Sequence, residues 1–258
     1  MSYGNYIAKV LIVFLVLLVL FIGGLFLYNS SLFPVESVTV SGLDHLEVSK
    51  MTELAAVPEN STLLRVDESG IRERLSKEPW VESVAIKRVF PNTLELAIKE
   101  RSIAAVVDVP VNEAQNMETW AIASDGIWLM PLPIEGSPDA DAISPKIYQD
   151  AALVLKITEV PYGINPQIGN YCEDENINNA LAIVDGFTTS LKDQIGTVSA
   201  TGTETTTLIL KNGIEIAFGN AERIRDKERV CQKLMEEYAG SITYINVRIV
   251  DRPTWRTI

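Results

Sequence analysis

The fold is decided by residues 33–42, which read FPVESVTVSG, and by residues 79–94, which read PWVESVAIKRVFPNTL. In the first stretch Val38 and Val40 alternate with polar residues, as they do in a half-buried strand, and Gly42 ends the run. The second stretch predicts a strand, a turn and the start of another strand, because Phe-Pro-Asn is a turn sequence between two alternating runs.

Two short helices are predicted between these stretches. Val48, Met51 and Ala55 recur at helical spacing, and Pro58 stops the run. Asp67 is the predicted N-cap of the second helix, because a carboxylate there can accept the free backbone N–H groups of the first turn. Residues 33–101 therefore read as a β-α-α-β-β unit.

A hydrophobic run precedes this unit. Val10 to Leu27 carries no charged side chain and as a helix would span roughly 27 Å, close to the thickness of the hydrocarbon layer. Lys9 lies just before the run, whereas Tyr28 to Ser49 contains no Lys or Arg. The positive-inside rule then predicts a cytoplasmic stub over 1–9, a transmembrane helix over 10–28 and extracytoplasmic domains after it.

A cleaved signal peptide is the alternative interpretation of this run. Its hydrophobic region would be too long, and residues 28–31, Tyr-Asn-Ser-Ser, offer no Ala-x-Ala cleavage site. We therefore expect the helix to be retained as an anchor.

Residues 102–250 predict a second α+β domain with a mainly antiparallel sheet. Asn212-Gly213 favours a tight hairpin, and Asn220 is a candidate cap for a helix that runs to Tyr238. The last predicted strand is Tyr244 to Val250. The Pro- and Gly-rich stretch 136–170 is expected to be an insertion, and 251–258 a C-terminal tail.

The side chains of the last predicted strand are expected to point alternately to two faces of the sheet. Ile245, Val247 and Ile249 are expected to face the core of the domain. Tyr244, Asn246 and Arg248 are expected to face outwards.

The composition limits the chemistry that the chain can perform. A net charge of −12 disfavours nucleic acid as a partner, because phosphate binding needs clustered Lys and Arg. With His45 as the single histidine and without a Gly-x-Ser-x-Gly motif, no catalytic triad, metal or cofactor is predicted. Cys172 and Cys231 could form a disulfide outside the membrane or remain two buried thiols.

The order and spacing of these elements resemble the FtsQ/DivIB family of bacterial division proteins. The resemblance rests on residues 33–42 and 79–94, on Glu100-Arg101 and on the Tyr244-Ile245-Asn246-Val247-Arg248 strand. It implies a membrane helix, a POTRA domain over 33–101 and the family's β domain over 102–250.

The resemblance also implies a function. It predicts a non-enzymatic scaffold at the division septum that recruits and holds FtsB/DivIC-like and FtsL-like membrane proteins, with septal peptidoglycan synthases as further partners. In the family the final strand of the β domain pairs with a segment of the FtsB-like partner. Sheet edges suit this role because their N–H and C=O groups are unpaired. The implied partner-binding residues are Tyr244, Asn246, Arg248, Val250 and Trp255.

Two other functions remain open at this stage. A POTRA-bearing component of a translocation or assembly system should carry repeated units or a membrane barrel, and the sequence has one unit and no barrel pattern. An anchored wall hydrolase should carry an acid/base pair in a cleft.

The chain also has a basic run, which is interpreted as a solvated face, with contact to an acidic partner or to lipid headgroups as the alternative. The run comprises Arg72, Arg74, Lys77, Lys87 and Arg88.

Overall fold

The computed structural model describes residues 3–29, 31–110, 116–140, 143–188 and 190–258. It contains two compact units, which are described separately below. The first unit comprises residues 1–77 and 81–99, and the second comprises 78–80 and 100–258.

The first helix, α1, runs over Tyr3–Asn29. Its segment Lys9–Phe26 has a mean hydropathy of 2.9 and no buried residue, so it is long and apolar enough to cross a bilayer. A core helix of a globular domain would bury such a face, and this helix does not.

The rest of the first unit has the predicted β-α-α-β-β order. Its elements are β1 (Ser37–Ser41), α2 (Val48–Ala55), α3 (Glu68–Leu75), β2 (Val81–Val89) and β3 (Thr93–Glu100). The sheet order is β1-β3-β2, with β1 parallel to β3 and at one edge. Buried residues such as Met51, Leu75 and Leu96 form its core.

Side chains fix the ends of both short helices. Asp67 accepts a hydrogen bond from the N–H of Gly70 at 3.0 Å, which confirms the predicted N-cap of α3. The guanidinium of Arg74 donates to the carbonyl of Ala55 at 2.7 and 3.1 Å, and so it satisfies a free acceptor at the end of α2.

Several members of the basic run serve the fold of this unit. Besides Arg74, Arg72 donates to the carbonyl of Val84 at 3.3 Å, and Arg88 pairs with Glu68 at 2.8 Å. Lys77 pairs with Glu73 across one helical turn at 3.8 Å. All of these basic side chains except that of Arg74 are exposed, as the interpretation of the run as a solvated face predicts.

The second unit is built on a nine-stranded sheet. Its order is β12-β11-β10-β9-β8-β7-β4-β5-β6. The pairs β4/β7, β7/β8 and β10/β11 are parallel and the other pairs are antiparallel, so the sheet is mixed but mainly antiparallel.

The strands of this sheet are β4 (Ile103–Pro110), β5 (Met117–Ala123), β6 (Trp128–Pro131), β7 (Leu155–Thr158), β8 (Ile195–Ser199), β9 (Thr207–Leu210), β10 (Glu215–Ala217), β11 (Ile242–Asn246) and β12 (Thr254–Thr257). The helices of the unit are α4 (Pro145–Leu153), α5 (Glu175–Gly186), α6 (Leu191–Gln194) and α7 (Ile224–Glu237), with short 3-10 turns at Pro138–Ala140 and Thr203–Thr205. The predicted hairpin at Asn212-Gly213 is confirmed between β9 and β10, and Gly213 supplies the positive φ of 87° that the turn requires.

The stretch 136–170 is not simply an insertion. It contains α4 and β7, and β7 lies between β4 and β8 near the middle of the sheet. Ile157 of this strand is fully buried in the main core. The prediction missed β7 because its four residues lie among loop-forming Pro and Gly, and only tertiary pairing makes them a strand.

Both cysteines are free thiols in the core of the second unit. Cys172 is 1% exposed and Cys231 is fully buried. Burial raises the pKa of Cys172 to about 11 and that of Cys231 to about 12, because a buried thiolate loses its solvation. Of the two alternatives, the structure has buried thiols.

We expect the native chain to resist thiol reagents at pH 8. Both thiols are shielded from solvent and lack the thiolate that reacts. Labelling with a maleimide should modify almost no cysteine in the folded chain and both after unfolding in guanidinium. The variant Ser83→Cys, at an exposed position of β2, is the positive control and should gain one fast-reacting thiol. Rapid labelling of the unaltered chain would contradict the burial described here.

Candidate partner-binding edge

The last strand of the chain is β12 and not the strand predicted at Tyr244 to Val250. The preceding strand, β11, ends at Asn246, and the supposed tail folds back as β12 and pairs antiparallel with it. Tyr244 is opposite Arg256, and Ile245 is opposite Trp255. The edge of the sheet therefore belongs to β12, and β11 lies inside, between β10 and β12.

The strand β11 ends at Asn246 because that side chain closes a local turn. Its Oδ1 accepts the backbone N–H of Arg248 at 3.1 Å, which is a hydrogen bond typical of Asx turns. The predicted alternation holds for Val247, which is fully buried, and for Arg248, which is exposed, but it fails at the next two residues. Ile249, expected in the core, is 65% exposed, whereas Val250, expected at the interface, is 9% exposed.

Successive residues of β12 direct their backbone N–H and C=O groups alternately towards β11 and towards the open edge of the sheet. The N–H of Ile258 donates to the carbonyl of Ser241 at 2.9 Å, and the carbonyl of Arg256 accepts from the hydroxyl of Thr243 at 3.4 Å. Residues 256 and 258 thus face β11. The intervening Trp255 and Thr257 direct their N–H and C=O groups away from it. Within the described residues no strand pairs with this side of β12.

Aromatic contacts hold β12 on both faces of the sheet. The ring of Trp255 packs against Tyr238, which follows α7, with ring centroids 5.4 Å apart. On the opposite face the guanidinium of Arg256 stacks over the ring of Tyr244 at 4.5 Å. Trp255 remains 40% exposed, so one part of its ring anchors the strand and another part stays accessible.

The loop that leads from β10 into α7 is pinned by two polar side chains. Asn179 of α5 donates to the carbonyl of Gly219 at 3.1 Å and accepts the N–H of Ala221 at 2.8 Å. Lys227 is 2% exposed, and its ammonium donates to the carbonyls of Phe218 at 3.0 Å and Asn220 at 2.8 Å. Burial lowers the pKa of Lys227, opposed in part by neighbouring carboxylates.

The side chain of Asn220 also serves this loop. Its Oδ1 accepts a hydrogen bond from the Lys227 ammonium at 3.1 Å. The prediction that Asn220 caps the helix is wrong, because α7 begins at Ile224 and the residue at its N-cap is Arg223.

A pair of charged side chains joins this loop to the turn between β11 and β12. Arg223 donates two hydrogen bonds to Asp251, at 2.8 and 3.3 Å, and a third to Asp226 in the first turn of α7 at 3.1 Å. The hydrogen bonds from Arg223 hold the pKa of the Asp251 carboxyl below its usual value. The start of α7 and the turn before the edge strand are thereby linked.

The structure brings together some of the predicted partner-binding residues. Tyr244 and Asn246 are half-buried in β11, and Trp255 lies opposite Ile245 on β12. Arg248 lies in the turn, where its side chain passes close to Gly219. The prediction missed Arg256 and Thr257, although the run Thr-Trp-Arg-Thr-Ile is rich in strand-forming residues and follows Pro253.

Comparison with known proteins agrees with this architecture. A model for the FtsQ-type POTRA domain matches residues 33–101, and a model for the C-terminal part of the cell division protein FtsQ/DivIB matches residues 115–248. The chain belongs to the FtsQ/DivIB family of cell division proteins. The POTRA domain is the β-α-α-β-β unit, and the second match includes β7, α7 and β11.

Relatives named cell division protein FtsQ match this chain, two of those described here over most of its length. The protein of Geobacter sp. (strain M21) is 27% identical over 241 residues, which cover 89% of this chain and 80% of the relative. That of Streptomyces collinus is 26% identical over 238 residues, which cover 90% and 83%. That of Neisseria meningitidis serogroup B (strain ATCC BAA-335 / MC58) is 32% identical over a shorter region of 96 residues, which cover 37% and 41%.

We expect Lys227→Ala to lower the free energy of unfolding by about 3 kcal/mol, because it leaves buried carbonyls without their charged donor. Lys233→Ala, at an exposed position of the same helix, is the matched control and should stay within about 0.5 kcal/mol of the unaltered chain. Urea denaturation followed by tryptophan fluorescence measures both. Equal stabilities of the two variants would contradict the role given to Lys227.

Proposed function

We propose that this chain is a non-enzymatic scaffold of the division machinery that recruits and holds FtsB/DivIC-like and FtsL-like membrane proteins during septum formation. Membership of the FtsQ/DivIB family supports the general role in cell division. The same membership leaves a translocation component or an anchored wall hydrolase without support.

The proposed topology is a single-pass anchor with its N-terminus in the cytoplasm and both domains outside, at the division septum. The exposed apolar surface of α1 supports the anchor. Lys9 before the apolar run, and the absence of Lys and Arg from residues 28–49, support the orientation. An anchor of this kind raises the effective concentration of the domains towards partners in the same membrane.

The single observation that carries the partner proposal is the open side of β12. Trp255 and Thr257 present backbone donors and acceptors that a strand of an FtsB/DivIC-like partner can pair with. The edge is four residues long, so it offers few backbone bonds, and side chains must add affinity. The exposed part of Trp255 is the strongest candidate, because tryptophan often contributes much of the interface energy.

The other predicted partner-binding residues have supporting roles in this proposal. Tyr244 supports the edge through its contact with Arg256, and Asn246 shapes the turn that leads to β12. Arg248 is exposed in that turn and can contact a partner at its rim. Val250 is buried and contributes to folding rather than to direct contact.

Strand addition predicts different effects for two substitutions at one position. Thr257→Pro removes an outward N–H and leaves the bonds to β11 in place, so it should weaken partner binding by about tenfold per lost hydrogen bond. Thr257→Ala keeps the N–H and should bind within about twofold of the unaltered chain. Affinity is measured between the full chain and the full-length FtsB/DivIC-like protein of the same organism, both in nanodiscs.

Equal affinities of the Pro and Ala variants would contradict strand addition at β12. If neither the variants nor the unaltered chain bound the partner, the scaffold role itself would fail. Trp255→Ala tests the side-chain contribution and should weaken binding while the thiols of Cys172 and Cys231 stay protected, which shows that the domain is still folded.

A further inference from the structure

The turn between β2 and β3 carries an exposed apolar tip. Val89 is 43% exposed and Phe90 is 53% exposed, and Leu32, just after the membrane helix, is 50% exposed. Exposed apolar side chains that cluster on a small domain commonly mark a contact with a partner or a membrane. We refer to Val89 and Phe90 as the turn tip.

The turn tip lies at the end of the small sheet where the chain arrives from α1. The rings of Phe33 and Phe90 pack edge to face with centroids 5.1 Å apart. The N–H of Glu36 donates to the carbonyl of Asn92 at 2.9 Å, and Ser37 pairs with Thr93. The start of β1 and the turn tip are therefore neighbours.

The chain between α1 and this end of the sheet is short. The apolar window ends at Phe26, and α1 ends at Asn29, which lies about 4.5 Å further along the helix axis. Phe33 follows four residues after Asn29, so their Cα atoms are at most about 14 Å apart. The headgroup region extends about 5–7 Å beyond the hydrocarbon on each side. The turn tip is thus within reach of the headgroups of the membrane that α1 would span.

The charges near the turn tip are mixed. Lys87 is exposed, and Arg88 already pairs with Glu68 at 2.8 Å. At the same end, the carboxylate of Glu36 accepts from the side chain of Asn92 at 2.5 Å. Because Arg88 is already paired with a carboxylate and Glu36 adds a negative charge at this end, burial of apolar surface has to supply most of any attraction to lipid.

We propose that Val89 and Phe90 insert into the headgroup region of the bilayer that holds α1, so that the POTRA domain touches the membrane at a second point. An aromatic ring and an adjacent aliphatic side chain suit the interface between headgroups and acyl chains, where rings are favoured. A second contact restricts how the domain can rotate about its short connection to α1. The inference rests on the proposed function in one respect, which is that α1 spans the membrane.

The test measures how deeply three positions lie in the bilayer. Phe26→Cys, Val89→Cys and Ser83→Cys are each labelled with a fluorophore in the full chain, whose native cysteines are buried. The chain is reconstituted in nanodiscs of phosphatidylethanolamine and phosphatidylglycerol, with or without lipid that carries a quencher near the headgroup. Ser83 is the matched control, because it is exposed on the same strand about 20 Å from Val89.

The expected result at position 26 is strong quenching. Quenching at position 89 should be about threefold greater than at position 83, because an interfacial side chain lies about 5–10 Å deep and therefore near the quencher. Adding Phe90→Ser should reduce the quenching at position 89 to the level of position 83. Equal quenching at positions 89 and 83, with position 26 quenched, would overturn this inference and leave the anchor intact. An unquenched position 26 would overturn both the anchor and the inference.

Discussion

The hydrogen-bonding requirement of the backbone governs the second domain. A strand pairs all of its backbone N–H and C=O groups only when it has a neighbour on both sides. The outermost strand of an open sheet lacks one neighbour, so its outward groups stay unpaired. Here the last residues of the chain fold back on β11, so the unpaired groups move to β12. The proposed interface depends on this one pairing, because it decides which residues offer free donors and acceptors to another chain.

The pairing of β12 depends in turn on packing elsewhere. Buried Lys227 and Asn179 fix the loop between β10 and α7, and Arg223 links that loop to Asp251 in the turn before β12. Trp255 then packs on Tyr238 next to the end of α7. Because α7 contacts this network at both of its ends, the edge strand is positioned by the helix as well as by the sheet. A short strand held in this way can meet a partner with little loss of conformational entropy.

The small domain is subject to a different constraint, which is its short connection to α1. A few residues separate the apolar helix from Phe33, and Phe33 packs on Phe90. The position of the anchor along the chain therefore limits how far the turn tip can move from a bilayer. In the larger domain, the proposed contact depends instead on the unpaired backbone groups of β12, together with the exposed part of Trp255.

The local sequence determined the elements whose signals are contained within a few residues. The apolar run before Tyr28, the alternation of Val38 and Val40, the Asp67 cap and the Asn212-Gly213 turn all predicted the structure that forms. These features depend on side-chain volume, a capping hydrogen bond or a positive φ, and each of those acts between near neighbours. The family motifs in residues 33–101 are local sequence signals of the same kind.

Tertiary structure alone decided the order of the strands and hence the edge. β7 has four residues in a loop-like stretch and becomes a central strand only between β4 and β8. Residues 251–258 were predicted to be a tail, because β12 forms only by pairing with β11. Likewise, β11 ends at Asn246 because of a side-chain hydrogen bond that the alternation of residues does not predict. Which short segment pairs with which depends on contacts between residues far apart in the chain. The sequence therefore determined the domains and their family, and the tertiary structure decided which strand has its backbone free.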